Sequence, residues 1–262
     1  KYTLSYNNSD PVEFEVVKAV VKRIEITPTG TAVMSADNKE AYAYYKVYNQ
    51  FDEDITKSPL ASRISVSGSD GAATNPAPKG KVVFKAPGSG SYRLNIDKVS
   101  VAVVDLESGV NASAILTTGD VAKAWEIEYK GLWNTTTRKT VESITEADKL
   151  VDYRLLYKAK DQYGNEFAEE FDPSASPAKP IQIQVNLISV TGVITEQKPD
   201  VITINDEKFY AFKLKNATSG DTATREGEVS AQAIVINNGK ADTHKFNITA
   251  SSKIDTLNVR AG

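Results

Sequence analysis

Apolar and polar residues alternate with period two through most of the chain. Phe14 and Val16 alternate with Glu13 and Glu15, Ile24 and Ile26 flank Glu25, and Val99, Val101 and Val103 share one parity. Trp125, Ile127 and Tyr129 alternate with Glu126, Glu128 and Lys130. The runs Ile181-Ile183-Val185-Leu187, Tyr210-Phe212-Leu214 and Phe246-Ile248 repeat the pattern. A strand sends successive side chains to opposite faces, so each run predicts one buried and one wet face, as in antiparallel sheets. Turn-forming stretches separate the runs: Gly68-Ser-Asp-Gly71, Asn75-Pro-Ala-Pro78, Pro87-Gly-Ser-Gly90 and Asn238-Gly239. Many short strands at turn-bounded intervals predict an all-β sandwich or barrel. The best helix candidate is Thr145–Leu150, about one and a half turns at most, the alternative being a lead into the next strand.

The chain repeats itself. Tyr45-Lys-Val-Tyr-Asn-Gln-Phe51 resembles Tyr157-Lys-Ala-Lys-Asp-Gln-Tyr163, and upstream Val21-Lys-Arg-Ile-Glu-Ile26 resembles Ala124-Trp-Glu-Ile-Glu-Tyr129. A weaker third copy is Lys253-Ile-Asp-Thr-Leu-Asn-Val259. If each upstream match opens a domain, residues 1–19 end a preceding unit, 20–121 and 122–252 are two domains, and 253–262 begin another. The chain then reads as a piece of a multi-domain rod, since it opens on Lys1 without a signal-peptide pattern. In the second copy, Asp161 is placed to accept backbone amides ahead of it, and Gly164 to take positive φ, giving a tight hairpin. Asp52 holds the position of Gly164 in the first copy, and Asp tolerates the left-handed region better than most residues.

The hairpin Lys158-Ala-Lys-Asp161-Gln-Tyr-Gly164-Asn165 resembles one that recurs in bacterial immunoglobulin-like domains. The Lys/Asp/Thr-rich, cysteine-free tandem setting resembles the surface-layer proteins of Gram-positive, Bacillus-type cell walls. The first copy departs from the motif at Asn49 and Asp52. The resemblance implies tandem immunoglobulin-like antiparallel β-sandwich domains. It also implies self-association into a two-dimensional lattice on the bacterial cell surface, contacts with neighbouring domains of the same parent chain, and anchoring by a segment elsewhere. Calcium is a possible cofactor on the same ground. The alternative is a stalk or ligand-binding domain of a surface adhesin, with Lys79-Gly-Lys81 and Lys130-Gly-Leu-Trp133 as candidate contacts. A pilin-type domain locked by an isopeptide bond is a third option.

Composition narrows the chemistry. The 262 residues are 40% hydrophobic and 25% charged, enough for true cores. A net charge of −3 argues against nucleic-acid binding, and no apolar run is long enough to insert in a membrane. With no cysteine there is no disulfide, thiolate nucleophile or Cys-based metal site. His244 is the single histidine, so neither a His cluster nor a Ser-His-Asp arrangement is spelled out, and it reads as structural or surface. Ser89, between Gly88 and Gly90, lacks the full nucleophile-elbow pattern and reads as a turn. Two carboxylate groups remain, Asp52-Glu53-Asp54 and Glu166, Glu169, Glu170, Asp172. Each is either a solvated acidic loop or a set of oxygen ligands for Ca²⁺. Tyr42, Tyr44 and Tyr48 share one face of a strand and Tyr45 the other, serving either cross-strand packing or a protomer contact. Sequons begin at Asn7, Asn111, Asn134, Asn216 and Asn247. The reading is of a non-catalytic protein with no catalytic residues assigned.

Overall fold

The computed structural model describes residues 2–5, 10–69 and 80–251. The Lys253–Val259 repeat copy, residues 253–262, Asn75-Pro-Ala-Pro78 and Lys79 lie outside the described residues. The chain divides into two compact units, Lys1–Val121 and Ala122–Gly262. Among the described residues both are built from strands, with 3₁₀ turns at Pro59–Arg63 and Leu150–Asp152 and no α-helix.

In unit 1, β1 (Tyr2–Leu4) and β2 (Val12–Phe14) form a separate antiparallel pair. The sandwich itself comprises β3 (Val21–Thr27), β4 (Thr31–Met34), β5 (Glu40–Asn49), β6 (Ile64–Gly68), β7 (Lys81–Lys85), β8 (Lys98–Asp105) and β9 (Asn111–Gly119). One layer runs β3-β5-β7 and the other β4-β9-β8-β6. β4 runs parallel to β9 and also touches β5, which links the layers along one edge. The core between them holds Tyr45, Val47, Val82 and Phe84 from one layer and Val99, Val101, Val103 and Leu116 from the other. Each such side chain, fully buried, contributes about 1.5–3 kcal/mol.

Unit 2 contains β10 (Ala124–Asn134), β11 (Lys139–Val141), β12 (Ser143–Thr145), β13 (Tyr153–Asp161), β14 (Glu166–Phe167), β15 (Ile183–Ser189), β16 (Val193–Thr195), β17 (Asp200–Ile204), β18 (Glu207–Asn216), β19 (Gly227–Val235) and β20 (Ala241–Thr249). One sheet runs β11-β10-β13-β18, with β14 on β13 and with β16 and β17 on β18; the other runs β12-β20-β19-β15. The inward parity of β13 and β18 buries Leu155, Tyr157, Tyr210, Phe212 and Leu214. Ile183, Val185, Val229, Phe246 and Ile248 are buried from the second sheet.

The two units share a plan. β3, β5 and β7 correspond to β10, β13 and β18. β4, β9, β8 and β6 correspond to β12, β20, β19 and β15, down to the parallel pairing of β4 with β9 and of β12 with β20. Register agrees as well. Val21 faces Asn49 and Ala124 faces Asp161, and each pair is followed at once by a bulge. The extra residue is Lys22 in one unit and Trp125 in the other, and both are exposed.

Three local expectations are corrected. The strand at Phe14 ends there, and Val16 is 69% exposed, so the alternation does not reach it. The bulge shifts the parity of β10, so Ala124 is buried where Trp125 was expected to start the inward series. Thr145–Leu150 forms no helix. The Glu146 amide donates to Thr249 O and the Leu150 amide to Asp221 O, so distant segments take the amides a helix would use. The Asp148 carboxylate accepts the Thr145 amide at 2.8 Å and closes a turn.

Candidate functional site

The hairpin that carries the repeat has the same geometry in both units. The buried Asp161 accepts the amides of Tyr163 and Asn165, each at 2.9 Å, through Oδ1. The buried Asn49 accepts those of Phe51 and Glu53 at 2.9 and 3.0 Å. The left-handed position after each is Gly164 at φ 82° and Asp52 at φ 61°, as the sequence suggests. Asn49 is therefore a neutral equivalent of Asp161, and its Nδ2 is spent on Glu53 Oε2 at 2.7 Å. Burial pushes the Asp161 carboxyl up, and the bonds from the Asn165, Tyr163 and Gly164 amides offset only part of that.

The carboxylate groups are turn-builders in the same sense. Asp54 accepts both the amide and the hydroxyl of Thr56, whose oxygen in turn accepts the Val47 amide. Asp52 reaches Arg23 at 3.5 Å. In unit 2, Glu166 faces Lys158, Glu169 faces Lys179 and accepts from Gln182, and Asp172 accepts the amide and hydroxyl of Ser174. Those Ser174 bonds hold the Asp172 carboxyl below its ordinary range. Among the described residues no three His, Asp or Glu side chains converge as a metal-holding group.

His244 lies exposed on β20 with its ring stacked on Tyr129 at 3.8 Å. Beside it, Asp242 accepts the Tyr129 amide at 2.7 Å. Burial raises the Tyr129 phenol to about 12 and pushes Tyr157 higher still. The Tyr157 hydroxyl is buried without a hydrogen-bond partner. These rings pack on one another. Ser89 is exposed in a turn closed by the Gly90 amide on Pro87 O at 3.1 Å. Of the sequon asparagines, Asn111 and Asn247 are exposed, Asn134 and Asn216 are half-buried, and Asn7 lies outside the described residues.

The outer face of β5 presents half-buried Tyr42, Tyr44 and Tyr48, while Tyr45 is turned inward. The Lys81 ammonium sits 4.0 Å from the Tyr42 ring centroid and the Arg23 guanidinium 3.9 Å from that of Tyr48. Such cation–π contacts are each worth about 0.5–1 kcal/mol at exposed sites.

Trp133 stands at the edge of an open concavity. It packs on the outer face of its sheet against Leu156, Phe209 and Ala211, with Ile202 and Ile204 on the far side. The resulting groove, about 880 Å³, is also lined by Thr135, Arg138, Lys139, Thr140, Thr203 and Asn205. Sequence reading singled out Trp133 but not Arg138 or the β17–β18 turn opposite. The positive φ of Arg138, Asn205 and Asp206 is the local sign of tight turns at both lips. The β10–β11 loop is fixed by Asn134 Oδ1, which accepts the amides of Thr136 and Thr137 at 2.9 Å, and by Thr135, which donates to Asp152 O.

Two layered sandwiches of one plan, with the first edge strand divided between both layers, make this chain a tandem immunoglobulin-like β-sandwich protein. No protein-family model matches it, and no curated protein matches it by sequence. Among solved structures it is similar to domains 6–7 of the surface layer protein SbsC, at 13% identity and a TM-score of 0.26, covering 88% of this chain and 98% of that one. It is also similar to the D00-D0 domain of intimin, at 13% identity and a TM-score of 0.28, covering 88% and 100%. Human protocadherin-24 EC1-2 aligns at 13% identity and a TM-score of 0.24, covering 90% and 100%. Likeness at these scores carries no functional assignment.

Proposed function

We propose that the chain is a structural, non-catalytic segment of a bacterial cell-surface protein, with tandem sandwich modules that self-associate in an extracellular surface layer. The observation that carries this reading is repetition: one sandwich plan is used twice, with the same bulge and the same amide-binding hairpin. A chain built this way multiplies surface rather than chemistry. Weak contacts between copies, repeated across a lattice, add up by the effective-concentration logic of tethered modules. Lattice formation, wall location and contacts with neighbouring domains of the parent all belong to this proposal. A stalk of a surface adhesin is the second reading, favoured by the exposed Trp133 groove.

Negative-stain electron microscopy of the full-length parent, with Ca²⁺ and with chelator, tests it. Regular two-dimensional sheets are expected. Their loss in chelator would assign calcium a part in assembly, and separate rods under both conditions would overturn the lattice and leave the adhesin reading.

A further inference from the structure

We propose that the Trp133 groove of unit 2 binds an acidic saccharide. Three features of the groove carry the inference. First, part of its lining is apolar: Trp133 stands on one side and Ile202 and Ile204 on the other, all packed on the buried Leu156 and Phe209. The half-buried indole leaves part of its surface to the groove. A pyranose ring offers an apolar C–H face of matching shape, and aromatic side chains with one wet side suit partners that are part apolar and part polar. Second, hydroxyls and an amide on Thr135, Thr140, Thr203 and Asn205 surround that surface, and these complement sugar hydroxyls.

Third, the charge among the lining residues has one sign. Arg138 and Lys139 line the groove, and no carboxylate does. Some other cations of the unit sit on acids: Lys158 with Glu207 at 2.6 Å, Lys240 with Glu126 at 3.0 Å and Lys245 with Glu228 at 2.7 Å. Arg138 and Lys139 have no ion-pair partner among the described residues. In a chain of net charge −3, two adjacent unpaired cations over an aromatic wall complement a carboxylate or sulfate borne on a sugar. The contrast with unit 1 is informative. Its shallow concavity over Ser67, Ser100, Ala102, Ser113 and Ile115 has neither an aromatic nor a charge.

The test uses the whole chain with Trp125→Phe. The chain has two tryptophans, so Trp133 becomes the sole indole reporter. The probes are a glucuronate–N-acetylglucosamine hexasaccharide, neutral maltohexaose and hexaglutamate. The acidic hexasaccharide is expected to shift Trp133 emission saturably, with added salt weakening binding. Arg138→Gln with Lys139→Gln is expected to weaken it by about tenfold, the yield of two exposed charge contacts. Both residues are exposed, so that variant keeps the fold, which circular dichroism checks. No saturable shift, an equal response to maltohexaose, or an equal response to hexaglutamate would each overturn the proposal. The outcome is independent of lattice assembly.

Discussion

Asp105 and Val235 occupy the same place in the two units, and the units solve that place differently. Each ends the strand before a four-residue turn, closed by a Gly amide on its own carbonyl at 2.8 Å. Each is fully buried, and each faces the first residue of the edge strand, Ile64 or Ile183. The residue just before that strand is Arg63 in unit 1 and Gln182 in unit 2. Unit 1 therefore buries a carboxylate that accepts from Arg63 Nε at 2.7 Å and from the Ser108 amide and hydroxyl. Unit 2 buries an isopropyl group and sends Gln182 to the Ala124 amide and to Glu169 instead. A buried ion pair is costly to desolvate and more costly to leave half-made, whereas an apolar filler carries neither cost. The sandwich plan tolerates both, so the pair is one solution to this corner and the fold does not require it.

The strongest way to break the comparison is Arg63→Ala. It strands a buried carboxylate, and unit 1 is expected to lose about 3–5 kcal/mol. Replacing both partners by those of unit 2, Arg63→Gln with Asp105→Val, is expected to return unit 1 to within about 1 kcal/mol of the natural chain. Both tryptophans lie in unit 2, so urea unfolding followed by circular dichroism should move while indole fluorescence does not. A double variant as unstable as Arg63→Ala would mean that this corner of unit 1 depends on its charges.

The hairpins offer a second, smaller break. Asp161→Ala removes the acceptor of two amides, and Asn49→Ala does the same in unit 1. Leaving such groups unpaired in a buried setting is expected to cost about 1–3 kcal/mol in each case. Fluorescence should register the first and only circular dichroism the second. Equal losses would show that one motif does one job in both units; a loss confined to unit 2 would show that the charge matters more than the acceptor.

This motif was legible because its partners are local. Asp161, Gly164 and Asn165 lie within one turn, and the chemistry of Asp and Gly there is set by backbone geometry. Strand parity was legible for the same reason in β8 and β15, where alternation is unbroken, whereas β18 buries Phe209 and Ala211 on its other face as well. It failed at Trp125, where one inserted residue reverses the parity, and at Thr145–Leu150, whose amides bond to Thr249 and Asp221. The Arg63–Asp105 pair joins residues that no local pattern connects. The groove is equally non-local: Trp133 and Arg138 come from one hairpin and Ile202 and Asn205 from another, and only the sheet brings them together.

The finest distinction is between the two buried carboxylates, whose pH dependence should have opposite signs. Burial pushes Asp105 up, but the Ser108 hydroxyl and amide, together with Arg63, outweigh it and hold the group below its ordinary value. Its contribution to unit 1 is thus complete above the unfolded carboxylate value, about 3.9, and is lost as pH falls through the folded value. Asp161 is raised, because burial there exceeds what the amide bonds return. Its contribution to unit 2 is complete below about 3.9 and is lost as pH rises through the folded value. Asp161→Asn removes the titration and keeps the acceptor, following Asn49. At neutral pH the variant is expected to be at least as stable as the natural chain. The difference, natural minus variant, should shift in favour of the natural chain as pH is lowered through the Asp161 transition. Indole fluorescence during urea unfolding at a series of pH values measures it in unit 2 alone. A difference that instead moves against the natural chain on acidification would mean that the amides outweigh burial at Asp161, and that the two carboxylates are held alike.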